Sequence, residues 1–234
     1  MLTVDFPKLA LFEKASLLDA GCGLGRHICH AYRNYDIDVV GVDTSDENLT
    51  YTRACLSELE KTRNNPWRLE KADITALPFE NERFDAIICT EVVEHIPDVS
   101  QALHELFRVL KKGGRIAVSA PRFLPERICW LLSSEYHSEP GGHIRIYKKN
   151  ELKDMLEAIG LLHEDTCYKH ALHSPYWWLK CLVGHKREDS TLVNLYKGFL
   201  EWDIIKKPYF TRILDKALNP FISKSIVIYA KKPL

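Results

Sequence analysis

Between residues 16 and 120 short apolar runs alternate with amphipathic stretches, the pattern of a parallel sheet covered by helices. The apolar runs predict strands at 16–18, 39–42, 67–72, 84–89 and 115–120, and the periodic stretches predict helices at 24–34, 45–62 and 100–110. Ser45 is placed to cap the second helix, with Asp46 and Glu47 where the positive end of the helix dipole favours acids. Gly113-Gly114 predicts a turn into the fifth strand. After Pro121 the rhythm changes: a short apolar helix is expected at 125–133, a loop at 134–142, and a helix from an N-capping Asn150 to Ile159, closed by Gly160. Residues 161–169 and 225–230 read as two more strands, the antiparallel edge of the sheet. The roughly fifty residues between them far exceed the two to five of an ordinary hairpin loop. Residues 174–224 are therefore expected to fold as a helical, aromatic-rich cap inserted into a single domain of 1–234.

Composition narrows the class. With 234 residues, 46% of them apolar, the chain is long enough for one sizeable core. Thirty-two basic residues balance thirty-two acidic ones, which argues against a generally basic nucleic-acid binder. The seven cysteines (Cys22, Cys29, Cys55, Cys89, Cys129, Cys167, Cys181) form no Cys-x-x-Cys pair and read as reduced thiols. The first twenty residues lack the basic and apolar regions of a signal peptide, and no apolar run approaches a membrane span. A cytoplasmic protein is expected.

The chemistry begins at Asp19-Ala20-Gly21-Cys22-Gly23-Leu24-Gly25, a glycine-rich turn leaving the first strand and opening the first helix. Glycine allows the backbone to turn tightly with a ligand against it, and a Cβ at Gly21 or Gly23 is expected to intrude on that ligand. Eighteen residues past Gly25, Asp43 ends an apolar strand where a carboxylate can accept from two ribose hydroxyls. The spacing Gly-x-Gly-x-Gly departs from the dinucleotide pattern, and the neighbouring acid repels phosphate while suiting a ligand with an ammonium and a sulfonium. That combination points to S-adenosylmethionine.

These residues, together with Ala72-Asp73-Ile74 and Phe84-Asp85-Ala86-Ile87-Ile88-Cys89, resemble the successive motifs of class I S-adenosylmethionine-dependent methyltransferases of the type 11 kind. The resemblance implies a Rossmann-like α/β fold. Its seven-stranded, mostly parallel sheet would run in the order 3-2-1-4-5-7-6, with helices on both faces and the helical insertion before the last strand. It implies Asp43 and Thr44 at the ribose, Asp73 and Ile74 at the adenine, and Asp19 near the methionine portion. Gly21, Cys22, Gly23, Gly25, Thr90 and Glu91 complete the cofactor set.

Thr90-Glu91-Val92-Val93-Glu94-His95 follows the fourth strand, at the edge where open α/β sheets place their ligands. Three readings compete. His95, with Glu94 and with His143 of the Gly141-Gly142-His143 loop, removes the acceptor's proton. Alternatively, Glu91, Glu94, His95 and His143 hold a divalent metal ion, an arrangement similar to the Glu-x-x-Glu-His element of ubiquinone-biosynthesis O-methyltransferases and small-RNA 2′-O-methyltransferases. In the third reading the acids are structural and His95 only packs against the cofactor. Tyr147 and Arg145 join His143 as residues facing the acceptor.

The insertion holds nine of the 24 aromatics and nine basic against five acidic residues. It reads as a lid over an apolar pocket, as a peripheral contact with the inner membrane face through Lys180, Lys186, Arg187, Lys206 and Lys207, or as the packed core of a small cap. Together these features lead to methyl transfer to an oxygen of a small, partly apolar or lipid-linked acceptor. Oxygen is favoured because the Glu-His element suits a hydroxyl and no Asn/Asp-Pro-Pro-Tyr motif is present. A non-catalytic S-adenosylmethionine-binding sensor or partner subunit is the alternative.

Overall fold

The computed structural model describes residues 1–60, 65–139 and 141–234. A 3-10 turn at Phe6–Leu9 leads into β1 (Ser16–Ala20), α1 (Arg26–Asn34), β2 (Asp38–Asp43), α2 (Asp46–Glu60), β3 (Trp67–Lys71) and β4 (Phe84–Thr90). The chain continues through α3 (Val99–Val109), β5 (Leu110–Pro121), α4 (Phe123–Leu132), α5 (Ser134–His137), α6 (Lys149–Ala158) and β6 (Leu162–Lys169). It ends with α7 (His173–Val183), α8 (Thr191–Lys206), α9 (Tyr209–Ile222) and β7 (Ser225–Lys231). One seven-stranded sheet results, in the order β3-β2-β1-β4-β5-β7-β6. The first five strands run parallel, and β7 lies antiparallel between β5 and the edge strand β6. Strand order and helical insertion both match the expectation from sequence.

Strand alternation divides the core in two. Leu18, Val40, Ile87, Val118 and Ile228 face Leu103 and Leu106 of α3 and Leu152 and Leu156 of α6. Their neighbours Leu17, Val39, Ile88, Ala117 and Val227 face Ile28 and Tyr32 of α1 and Leu56 of α2. Because both faces are covered, the central strands are apolar throughout rather than alternating.

Some local expectations are corrected. Gly113-Gly114 lies inside β5 and forms a bulge: Phe84 pairs with Leu110 but Ala86 with Arg115. Gly113 has φ +74°, and a Cβ on Gly114 would sit 2.9 Å from Asp85 O, so glycine is required there for close approach within the sheet. The segment expected as a loop at 134–142 opens with α5, whose N–H groups begin at a Ser133 side-chain cap, Oγ accepting from Tyr136 N at 3.1 Å. Asn150 lies within α6; the N-cap position belongs to Lys148, whose N–H donates to Glu151 Oε2. Ser45 does cap α2 by accepting from Asn48 N at 3.2 Å, while residues 61 and 62 of that expected helix lie outside the described residues.

Candidate active site

The glycine turn is built over the end of β2. Gly21 and Cys22 N–H both donate to Val42 O at 2.9 Å, and Gly21, Gly23 and Gly25 all have positive φ. The three glycines have different reasons. A Cβ on Gly21 would lie 2.4 Å from Val92 Cγ2 and one on Gly25 2.7 Å from Thr52 Cγ2, whereas one on Gly23 would meet nothing within 4 Å. Gly21 is thus required by packing against the Glu91–Glu94 turn, and Gly23 alone borders open space; the sequence-based reason for Gly21 is corrected accordingly. This open side fits a ligand lying along the turn.

The acids flank that turn. Asp43 Oδ2 accepts from Gly23 N at 2.8 Å, and Oδ1 accepts from Ser45 N at 2.9 Å and Asn48 Nδ2 at 3.2 Å. The adjacent Thr44 is exposed. Asp43 therefore locks the loop to β2, with carboxylate lone pairs still to spare. Ala72 N donates to Asp43 O, bringing the β3 end alongside. Asp73 is exposed with Oδ1 accepting from Thr75 N and Oγ1, and Ile74 is buried behind it. Asp19 is fully buried: Oδ2 accepts from Ile28 N at 3.0 Å, but Oδ1 has no partner. Burial pushes its carboxyl up to about 7. A buried, unpartnered carboxylate oxygen beside a glycine turn suits a cationic ligand group, so the donor set fits S-adenosylmethionine.

Beyond β4 the chain brings Glu94, His95 and His143 together, with ligand-type atoms within 4.8 Å of one another. His143 is far away in sequence but docks here because Ile144 N donates to Glu94 O at 3.1 Å and Tyr147 OH donates to Val93 O at 3.0 Å. Arg145 donates to Pro97 O at 2.7 Å, which anchors the same loop. His95 Nδ1 lies 3.1 Å from Gly142 O and His143 Nδ1 lies 2.6 Å from Glu126 Oε1. Both partners are acceptors, so each Nδ1 donates and each Nε2 is left to face the site. Burial, then the neighbouring His143, holds the His95 pKa below its ordinary value. Glu94 is completely buried, neither of its oxygens has a hydrogen-bond partner although Oε1 lies 3.8 Å from His95 Nε2, and burial followed by the charge of Glu91 raises its carboxyl well above the usual range.

Glu91 is not part of this cluster. It sits at φ +55°, its N–H donates to Ser119 O, and its Oε1 accepts from Ser119 Oγ at 2.8 Å. The four-residue metal set expected from the sequence thus contracts to Glu94, His95 and His143. Glu91 instead lines a cavity of about 270 Å³ with Arg26, His173, Trp177, Ile204 and Lys224. Helices α7 and α8 wall one side of it.

Three supporting residues escaped the sequence reading. Glu126 is buried in α4, where it accepts from His143 and from Lys224 Nζ. Burial alone would raise its carboxyl, but the His143 hydrogen bond and the Lys224 charge bring it down to about 2. The available signal was one acid in the apolar run Phe123–Leu132. Lys224, beside β7, carried no signal of its own. His27 accepts from Thr3 N at 3.1 Å through Nε2, leaving Nδ1 toward Thr90 Oγ1 at 3.3 Å. Burial holds this imidazole neutral, with a pKa of about 3.

Comparison with known proteins agrees with this geometry. Residues 18–118 match a family model described as a methyltransferase domain. A sterol 24-C-methyltransferase of Aspergillus fumigatus is 28% identical over 165 residues, 70% of this chain and 41% of that protein. A ubiquinone biosynthesis O-methyltransferase of a Chelativorans species is 32% identical over 160 residues, 66% of this chain and 61% of that protein. The chain thus spans about half the length of the curated relatives it matches. In structure it resembles geranyl diphosphate C-methyltransferase from Streptomyces coelicolor, with a TM-score of 0.66 at 18% identity, covering 97% of this chain and 76% of that one. Residues 18–118 are thus similar to a methyltransferase domain, and the sheet has the strand order that the resemblance to class I S-adenosylmethionine-dependent methyltransferases implies.

Proposed function

We propose that the protein transfers a methyl group from S-adenosylmethionine to an oxygen of a small, partly apolar or lipid-linked acceptor. The observation that carries this reading is the placement of Glu94, His95 and His143 at the same sheet edge as the glycine turn and its acids. When bound, the cofactor supplies an electrophilic methyl. Gly21, Cys22, Gly23 and Gly25 shape its cradle, Asp43 and Thr44 take the ribose, Asp73 and Ile74 the adenine, and Asp19, Thr90 and Glu91 the methionine end. His95 Nε2 accepts the acceptor hydroxyl's proton while Gly142 O holds the ring through Nδ1. Glu126 Oε1, 2.6 Å from Nδ1, holds His143 at a fixed position beside that base. The body of the acceptor takes the cavity between Glu91 and Trp177, whose Lys224 shares Glu126 with His143, with α7 and α8 excluding water as a lid.

The relatives' names include both carbon and oxygen methylation, and the paired imidazoles favour oxygen because a hydroxyl must lose a proton whereas an alkene need not at the attacking step. A second reading is favoured by the two oxygens of Glu94, which accept no hydrogen bond: a divalent ion held by Glu94, His95 and His143 would orient and acidify the hydroxyl. Full activity after exhaustive chelation would remove it. Peripheral contact of residues 174–224 with the inner membrane face fits a lipid-linked acceptor. No helix among the described residues is long and apolar enough to cross a membrane. The test is release of S-adenosylhomocysteine over a cell extract split into soluble and lipid fractions. Turnover is expected in a lipid fraction; cofactor binding with no turnover in any fraction would favour the sensor alternative.

A further inference from the structure

Helix α9 is amphipathic with its polar side turned inward. Asp215 Oδ1 accepts from Leu172 N at 3.1 Å and Asn219 Oδ1 from Ala171 N at 3.0 Å, while Arg212 pairs with the buried Asp203 of α8. Thr211 is the one residue of the helix that is buried. The opposite face is apolar and faces solvent: Phe210 is 59%, Ile213 52% and Phe221 68% exposed, at helical spacing. The Trp202 ring lies 5.9 Å from the Phe210 ring, which carries the stripe onto α8. At the turn between the helices Ile205 is 74% and Tyr209 80% exposed. Such a continuous apolar face on a soluble surface marks a contact site.

Charge identifies what covers it. Lys206 and Lys207 are exposed at the turn and Lys216 at the flank of this face, and none of them has an ion-pair partner among the described residues. The acids of the same region are withdrawn: Asp203 and Asp215 point inward, and Glu201 is paired with Lys197. A second copy of the chain meeting this face symmetrically would set lysines against lysines without an acid to receive them. An anionic bilayer offers both apolar depth and negative headgroups, and an interfacial helix with Phe, Tyr, Trp and Lys is suited to it.

We propose that the outward face of α9, with the Trp202 end of α8, docks on an anionic lipid bilayer. The proposal deepens the lipid-side part of the functional reading and rests on that part, not on methyl transfer. Ile204 lines the cavity while its neighbour Ile205 faces out, so α8 is the wall between the docked surface and the acceptor's place.

The test is co-sedimentation of the full chain with phosphatidylcholine vesicles, with and without phosphatidylglycerol. Two variants accompany it, one combining Phe210→Ser, Ile213→Ser and Phe221→Ser, the other Lys206→Glu, Lys207→Glu and Lys216→Glu. Wild type is expected on phosphatidylglycerol vesicles only, released by salt, and each variant is expected to bind at least about tenfold more weakly. Calorimetric binding of S-adenosylhomocysteine, unchanged in both variants, certifies their folding and is independent of vesicle binding. Vesicle binding without S-adenosylhomocysteine binding would overturn the methyl-transfer reading and leave the docking face standing. Equal sedimentation of wild type and variants, no sedimentation at all, or a wild-type dimer that the serine variant turns into a monomer would overturn the docking proposal.

Discussion

The sheet and the helices inserted before its last strand treat apolar side chains in opposite ways. Between residues 16 and 121 two large apolar side chains, Leu24 and Tyr51, are exposed among the described residues; between 173 and 222 there are ten. The sheet buries its strands on both faces, and three of the polar groups buried there, Asp19, Thr90 and Glu94, stand at the site. In the insertion α7 contributes Trp177 to the cavity wall, while α8 and α9 leave aromatic and aliphatic surface outside. The difference teaches that one region is shaped by folding and cofactor chemistry and the other by what it must meet.

The largest effect should fall at the base. His95→Ala is expected to lower kcat by about 10²- to 10⁴-fold, measured as S-adenosylhomocysteine release once an acceptor is in hand. Because burial holds His95 below its ordinary pKa, the rising limb of the wild-type pH–rate profile should lie below pH 6.5, and the variant should lack it. Leu103→Ala, on the sheet side, should cost about 3 kcal/mol in chemical denaturation, since Leu103 is fully buried between α3 and the strands. Next comes Asp19. Its carboxyl rises from 3.8 unfolded to about 7 folded, so its contribution is complete below pH 3.8 and is lost as pH rises through 7. Asp19→Asn should therefore gain stability relative to wild type between pH 5 and 8, a shift read from paired denaturation curves. The smallest effect closes the comparison: Leu195→Ser, on exposed α8, should change stability by less than about 0.5 kcal/mol. A loss as large as that of Leu103→Ala would show that the outward stripe is core after all.

The sheet was legible in the sequence because both of its signals are local: apolar strands at regular intervals, and glycines at fixed offsets from Asp19. The β5 bulge was not, since Gly113-Gly114 is equally good as a turn or as a close approach to Asp85 O, and only the pairing of Leu110 with Phe84 decides. At the site, Glu94, His95 and His143 were legible as types, but the diversion of Glu91 depends on Ser119, a residue with no chemical signature of its own. Glu126 and Lys224 are 98 positions apart, and the partnership that tunes His143 exists only after folding. For α9 the periodicity was visible, but its direction was not: apolar residues at helical spacing ordinarily face the core, and here Asp215 and Asn219 take that side by capping the Ala171-Leu172 turn.

Calorimetric titration with S-adenosylhomocysteine, run beside the same titration with NADH, tests the central claim most directly. One molecule of S-adenosylhomocysteine per chain is expected to bind, with binding lost in Gly21→Val, whose side chain would collide with Val92, and no binding of NADH is expected. Binding of NADH in place of S-adenosylhomocysteine, or of neither, would contradict it.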